Sequence, residues 1–177
     1  MTDERLRELE RRWKVSGAID DEVELLRERS RRGDLMRANL ELAAYLGAEA
    51  AVRCGFPAIP GAVEHPDWVA AVRAASFTAY LRALVAVAQR WPTRADGSGA
   101  RDVPRIELEI CSPIVSGQTA RVGPDPRSLP ALERYVAEVA DEVPTSELRG
   151  AVRDELVPWL LGHDDPVAQR VASHLRG

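Results

Sequence analysis

The side chains best suited to chemistry stand near the C-terminus, where His163, Asp164 and Asp165 run together and His174 follows. Imidazole and carboxylate are ligands for zinc or a non-haem metal, and three converging donors make a site. The same residues also have a local use. Asp164 or Asp165 can cap a last helix that has Pro166 in its first turn, and His174 falls in a last turn, where a cation suits the dipole. The local use needs no convergence, so no metal and no cofactor are expected. Cys111 as a nucleophile needs a base, and the histidines lie far away at His65, His163 and His174. A cysteine that closes an alternating run is more often a small half-buried side chain. Glu107 and Glu109, two apart on a strand, share a face and read as its wet side. There is no Gly-rich phosphate loop, Cys-x-x-Cys, His-Glu-x-x-His or Gly-x-Ser-x-Gly in the chain. No catalytic residue is assigned, and an enzyme is not expected.

The bulk composition points the same way. At 177 residues and 45% hydrophobic content, the chain can form one domain with a core, burying roughly 70% of its unfolded surface. Charged residues make up 29%, yet the net charge is only -4, with the signs interleaved as on a solvated surface. A nucleic-acid binder needs clustered cations to displace counterions, whereas the residues from Ser128 onward hold 5 basic against 9 acidic side chains. Lys14 is the only lysine among 24 basic residues, a bias of GC-rich bacterial coding. Cys54 and Cys111 are expected as reduced thiols, because a chain of this size does not depend on a disulfide. The charged start MTDERLRELE lacks an apolar signal core, and Arg73 and Arg82 interrupt the longest apolar helix, so a soluble cytoplasmic protein with no membrane contact is expected.

The elements centre on Gly33 to Gly55, two short helices with glycine at both ends and in the middle. Leu35, Leu42, Leu46 and Ala50 form one stripe, widened by Met36, Leu40 and Ala43. Before the pair come a helix with Leu6, Leu9 and Trp13 inward and a Glu8–Arg12 pair outward, then one from about Asp20 to Arg32. The second carries acids at its start and arginines at its end, so Arg27, Arg29, Arg31 and Arg32 read as dipole complements. Three prolines mark 56–66 as a connection, after which Asp67 caps a nearly all-apolar helix from Trp68 to Arg90. Helices follow from Ser128 to Val143, from Thr145 or Ser146 to about Leu161 with Pro158 near the end, and after Asp165.

The fold class expected is all-α, a single domain of seven or eight stacked antiparallel helices with an insertion at about 92–126. Within it Arg105 to Cys111 alternates strictly, favouring a small β-hairpin over a short helix started by Pro104. A connector this long is commonly used for binding. Partner contact is therefore expected at Glu107, Glu109, Ile114 and Val115, with a partner's strand or a second copy covering the hairpin edge.

The segments WKVSGAIDDEVELLRERSRRGDL and LELAAYLGAEAAVRCG resemble a group of small proteins of GC-rich soil bacteria in which a similar LELAAYLG phrase follows a basic helix. The resemblance covers roughly the first 55 residues and implies a loosely HEAT-like stack of helical hairpins with no assigned activity. The function expected is a non-enzymatic protein-interaction module, an adaptor, regulator or complex subunit. Two alternatives are an immunity or antitoxin protein whose acidic third meets a basic toxin, and an enzyme with a metal site in a helical bundle.

Overall fold

The structure, a computed structural model, describes residues 2–56, 65–92 and 128–163. Those residues form eight helices and no strand, so the fold is all-α: α1 (Thr2–Ser16), α2 (Ile19–Arg32), α3 (Arg37–Tyr45), α4 (Glu49–Arg53), α5 (His65–Ala75), α6 (Phe77–Arg90), α7 (Ser128–Glu142) and α8 (Thr145–Leu160). None of them is long and apolar enough to cross a membrane. The expected hairpin in 92–126, with Glu107, Glu109, Ile114 and Val115, and the helix after Asp165 lie outside the described residues. By their contacts the helices fall into two compact units, one made of residues 2–56 and 160–163, the other of 65–92 and 128–159.

In the first unit α1 lies against α2, and α2 against α4. Asp20, Asp21 and Glu22 occupy the first turn of α2 and Arg29, Arg31 and Arg32 the last, each sign at the end its dipole favours. The N-cap position holds Ala18, whose methyl group caps no N–H of the first turn, and Ser16 braces the entry to the helix instead. Its Oγ accepts from the Ala18 N–H at 3.1 Å and donates to Asp21 at 2.5 Å. Gly33 closes α2 at φ 81, a left-handed conformation that glycine adopts without penalty, and its N–H returns to the carbonyls of Arg29 and Ser30. Val23, Leu25 and Leu26 face inward, as the helical spacing requires.

The α3–α4 pair is buried as its stripe predicts: Leu35, Leu40, Leu42, Ala43, Leu46 and Ala50 all belong to the core. Met36 does not. It is 68% exposed because it stands at the extended N-cap of α3 (φ -72, ψ 140), off the helical stripe. The expected Glu8–Arg12 pair is also replaced. Glu8 takes Arg11, while Arg12 reaches across to Asp21 at 2.7 Å and to Glu24 on α2, a tertiary contact in place of an intrahelical one.

In the second unit the single helix expected from Trp68 to Arg90 is two helices. Ser76 sits between them in extended conformation (φ -161, ψ 118), and its side chain accepts the Ala79 N–H at 3.2 Å, capping α6. Every residue of α6 from Ala79 to Ala88 is buried. Val72 of α5, Leu132, Val136 and Val139 of α7, and Leu148, Val152 and Leu156 of α8 complete this core. Arg82 is buried with its guanidinium 4.3 Å from the Trp159 ring centre. Arg73 lies over the Tyr80 ring at 5.0 Å, with its tip 3.7 Å from Glu133. The two arginines of the apolar stretch thus place their guanidinium groups over aromatic rings.

Candidate functional site: an acid-lined groove between α6 and α8

The last turn of α6 and one face of α8 enclose a groove of about 530 Å³. From α6 come Ala86, Gln89 and Arg90, followed by Trp91; from α8 come Glu147, Gly150, Ala151, Asp154 and Glu155. The α8 residues recur three, four and seven apart, one helical stripe. Leu148, Val152 and Leu156, offset by one position, point into the core and fix the stripe outward. The acidic residues thus flank a floor of the two smallest side chains. Glu147 and Asp154, seven residues apart, are separated by about 10 Å along the axis at 1.5 Å per residue.

Trp91 is set by two contacts. Its N–H donates to the Val87 carbonyl at 3.0 Å, continuing α6, and its own carbonyl accepts from the Tyr135 hydroxyl at 2.6 Å. Of the charged groups lining the groove, Glu147, Asp154 and Glu155 are anionic and Arg90 is cationic. Asp154 is shared with Arg153 at 3.2 Å on the exposed flank. The lining includes no histidine, cysteine, serine or threonine. It is equipped for electrostatic and apolar contact with a partner, and none of the groups that line it is an activated nucleophile.

Other residues singled out by type serve elsewhere. In the first unit the His163 ring stacks on Trp13, centroids 4.1 Å apart, and its Nε2 lies 2.9 Å from a Glu22 carboxylate oxygen. Arg29 donates to the carbonyls of Leu161 (2.8 Å) and Gly162 (2.9 Å) and to Glu10 (2.8 Å), which ties down the residues leading to His163. No group of three His, Cys, Asp or Glu side chains able to hold a metal occurs among the described residues, and Asp164, Asp165 and His174 lie outside them. The arginines of α2 are committed to contacts. Arg27 donates to the Arg53 carbonyl, Arg31 pairs with Glu28, and Arg32 pairs with Asp34.

Glu28 is a buried carboxylate held below its ordinary range, first by its hydrogen bond from Arg31 and then by the charges of Arg31, Arg5 and Arg32. Burial pushes the Cys54 thiol up, away from the reactive thiolate, with Arg27 pulling the other way. Cys111 lies outside the described residues. Tyr80 donates to Glu133 at 2.7 Å, and burial together with that carboxylate pushes its hydroxyl up to about 12.

Sequence reasoning placed the partner-binding residues in 92–126 and gave the α8 stripe no role beyond its inward half. The signal that marks the groove is Gly150 in the interior of a helix. Against known protein families, curated proteins and solved structures, the chain has no match.

Proposed function

We propose that this chain is a non-enzymatic helical interaction module of a bacterial cytoplasm, an adaptor, regulator or complex subunit, that receives a protein partner in the groove between α6 and α8. The observation that carries the reading is the groove itself, about 530 Å³ with acidic edges and a Gly150–Ala151 floor. Its size is that of sites that bury ligands, and its polar rim around a small-residue floor suits a side-chain or helix contact. The packing of sequence neighbours, α1 on α2, α3 on α4 and α5 on α6, is what a HEAT-like stack of hairpins would use, and that arrangement belongs to the proposal. A hairpin in 92–126, with Glu107, Glu109, Ile114 and Val115 on the partner side, belongs to it as well.

A second reading rests on the same carboxylates. An immunity or antitoxin protein neutralising a basic toxin would present such an acidic edge, since complementary charge speeds encounter and rejects wrong partners. The test fills the groove. Ala151→Trp places an indole on the floor, and Glu41→Gln changes an exposed residue of α3 as a control. A partner recovered quantitatively on wild type and Glu41→Gln, and lost on Ala151→Trp with its melting temperature unchanged, is the expected result. Equal recovery on all three proteins would overturn the reading.

A further inference from the structure

Gly150 lies inside α8, five residues from its start, and its φ is not among the positive values that need glycine. A Cβ built on it meets no atom of the described residues within 4 Å. Among the described residues, neither backbone conformation nor packing therefore demands glycine here, and alanine would make the better helix. Gly150 lines the groove, midway in sequence between Glu147 and Asp154. A glycine with open space above it leaves room for another backbone to approach closely.

We infer that the groove's occupant is a basic helix of a partner protein, its backbone laid over Gly150 and Ala151 with lysine or arginine side chains reaching Glu147 and Asp154. This rests on the reading above that the groove receives a protein. Charge complementarity selects the cation, because three of the four charged groups lining the groove are carboxylates. The helical repeat selects the shape. Carboxylates seven residues apart on α8 match cations seven apart on a second helix lying alongside, with a small residue between them facing the floor. Trp91 adds an aromatic wall for a lysine or arginine stem. Arg90, on the α6 side, turns the basic face toward α8.

The probe is a fluorescein-labelled, alanine-rich helical peptide with lysines seven apart on one face, compared by anisotropy with the same peptide carrying glutamates. Wild type is expected to bind the lysine peptide, at least tenfold more weakly in about 0.5 M salt, where surface charges are screened, and not to bind the glutamate peptide. Gly150→Ala is expected to melt higher than wild type yet bind at least tenfold more weakly, two changes of opposite sign that general destabilisation does not produce. Glu147→Gln with Asp154→Asn is expected to lose both affinity and salt dependence. Three results overturn the inference: no binding or equal binding of the two peptides by wild type, unchanged affinity in Gly150→Ala, or a lower melting temperature in Gly150→Ala. Self-association of wild type that Ala151→Trp abolishes would make the occupant a second copy and overturn it too. If the lysine peptide fails while Ala151→Trp still blocks partner recovery, the basic helix falls and the interaction module stands. If both fail, the module falls with it.

Discussion

Ser76→Ala tests why the apolar stretch of the second unit is two helices. The mutation removes the Oγ that accepts the Ala79 N–H at 3.2 Å and leaves that donor without its cap. Loss of such a cap costs typically about 1 kcal/mol, within a range of about 0.5 to 2. One effect opposes it. Alanine is the better residue in a helix interior by roughly 0.5 kcal/mol, so a fused α5–α6 helix would recover part of the loss. Fusion, however, requires position 76 to leave φ -161, ψ 118 for helical values, which reorients α5 and withdraws Val72, now fully buried. Exposing one such side chain costs about 1.5 kcal/mol or more, so fusion loses more than it recovers and the break persists.

The expected outcome is a destabilisation of about 1 kcal/mol with unchanged helical content, read by urea unfolding followed by circular dichroism, with the m-value unaltered. Ser76→Asp keeps a capping oxygen and is expected to restore most of the loss. A Ser76→Ala protein as stable as wild type, with more helix, would refute the reasoning, because it would show that packing of Val72 does not hold the break.

Three further expectations follow from other contacts. Leu46→Ala, at a residue 1% exposed in the α3–α4 core, is expected to cost about 2 to 5 kcal/mol in urea unfolding. Gly162→Ala is expected to cost about 1 to 2 kcal/mol, because φ 70 is unfavourable for alanine and its Cβ would stand 3.2 Å from Arg29 Nη1. Tyr80, pushed up to about 12 from an ordinary value of 10, keeps its proton in the fold where the unfolded chain has lost it. Its contribution is therefore complete below pH 10 and lost as pH rises from there through 12, and Tyr80→Phe is expected to flatten the stability curve over that window.

Helix existence was legible wherever spacing and punctuation agreed. In α2, charge order and the closing Gly33 marked both the dipole and the stop. In the α3–α4 pair, leucines and alanines at helical spacing identified the buried stripe before any packing was known. The misses have different physical causes, one a partner remote in sequence and two a helix start that the pattern did not mark. Arg12 fits Glu8 by spacing but finds Asp21 and Glu24 on the next helix. Ser76 stands in an alanine-rich run with Ala79, not a glutamate, three residues on, so half of a capping box is missing and the break was hidden. Met36 matches the stripe by number but belongs to a residue that is not yet helical.

The groove was illegible for a different reason. Its walls come from α6 and α8, separated by α7 and by a connector outside the described residues, and no motif links them. What the chain does carry is a division of labour along α8. Leu148, Val152 and Leu156 hold the helix to its core, while Glu147, Gly150, Ala151 and Asp154 contribute little to that burial. Surface substitutions away from caps and cores ordinarily change stability by less than about 0.5 kcal/mol. A change at Asp154 can therefore alter binding while leaving folding intact, whereas Glu147, in the first turn of α8, also gives up a helix-dipole contribution of about 0.3 to 1 kcal/mol when neutralised. Sites more than about 7 to 10 Å apart also combine additively. Ser76 starts α6 about 15 Å along the helix from Ala86, which lines the groove with Glu147, so joining Glu147→Gln to Ser76→Ala should give the sum of the two separate stability losses. A stability change larger than the sum of the two would place the acidic edge inside the fold's own network and remove it from the binding surface.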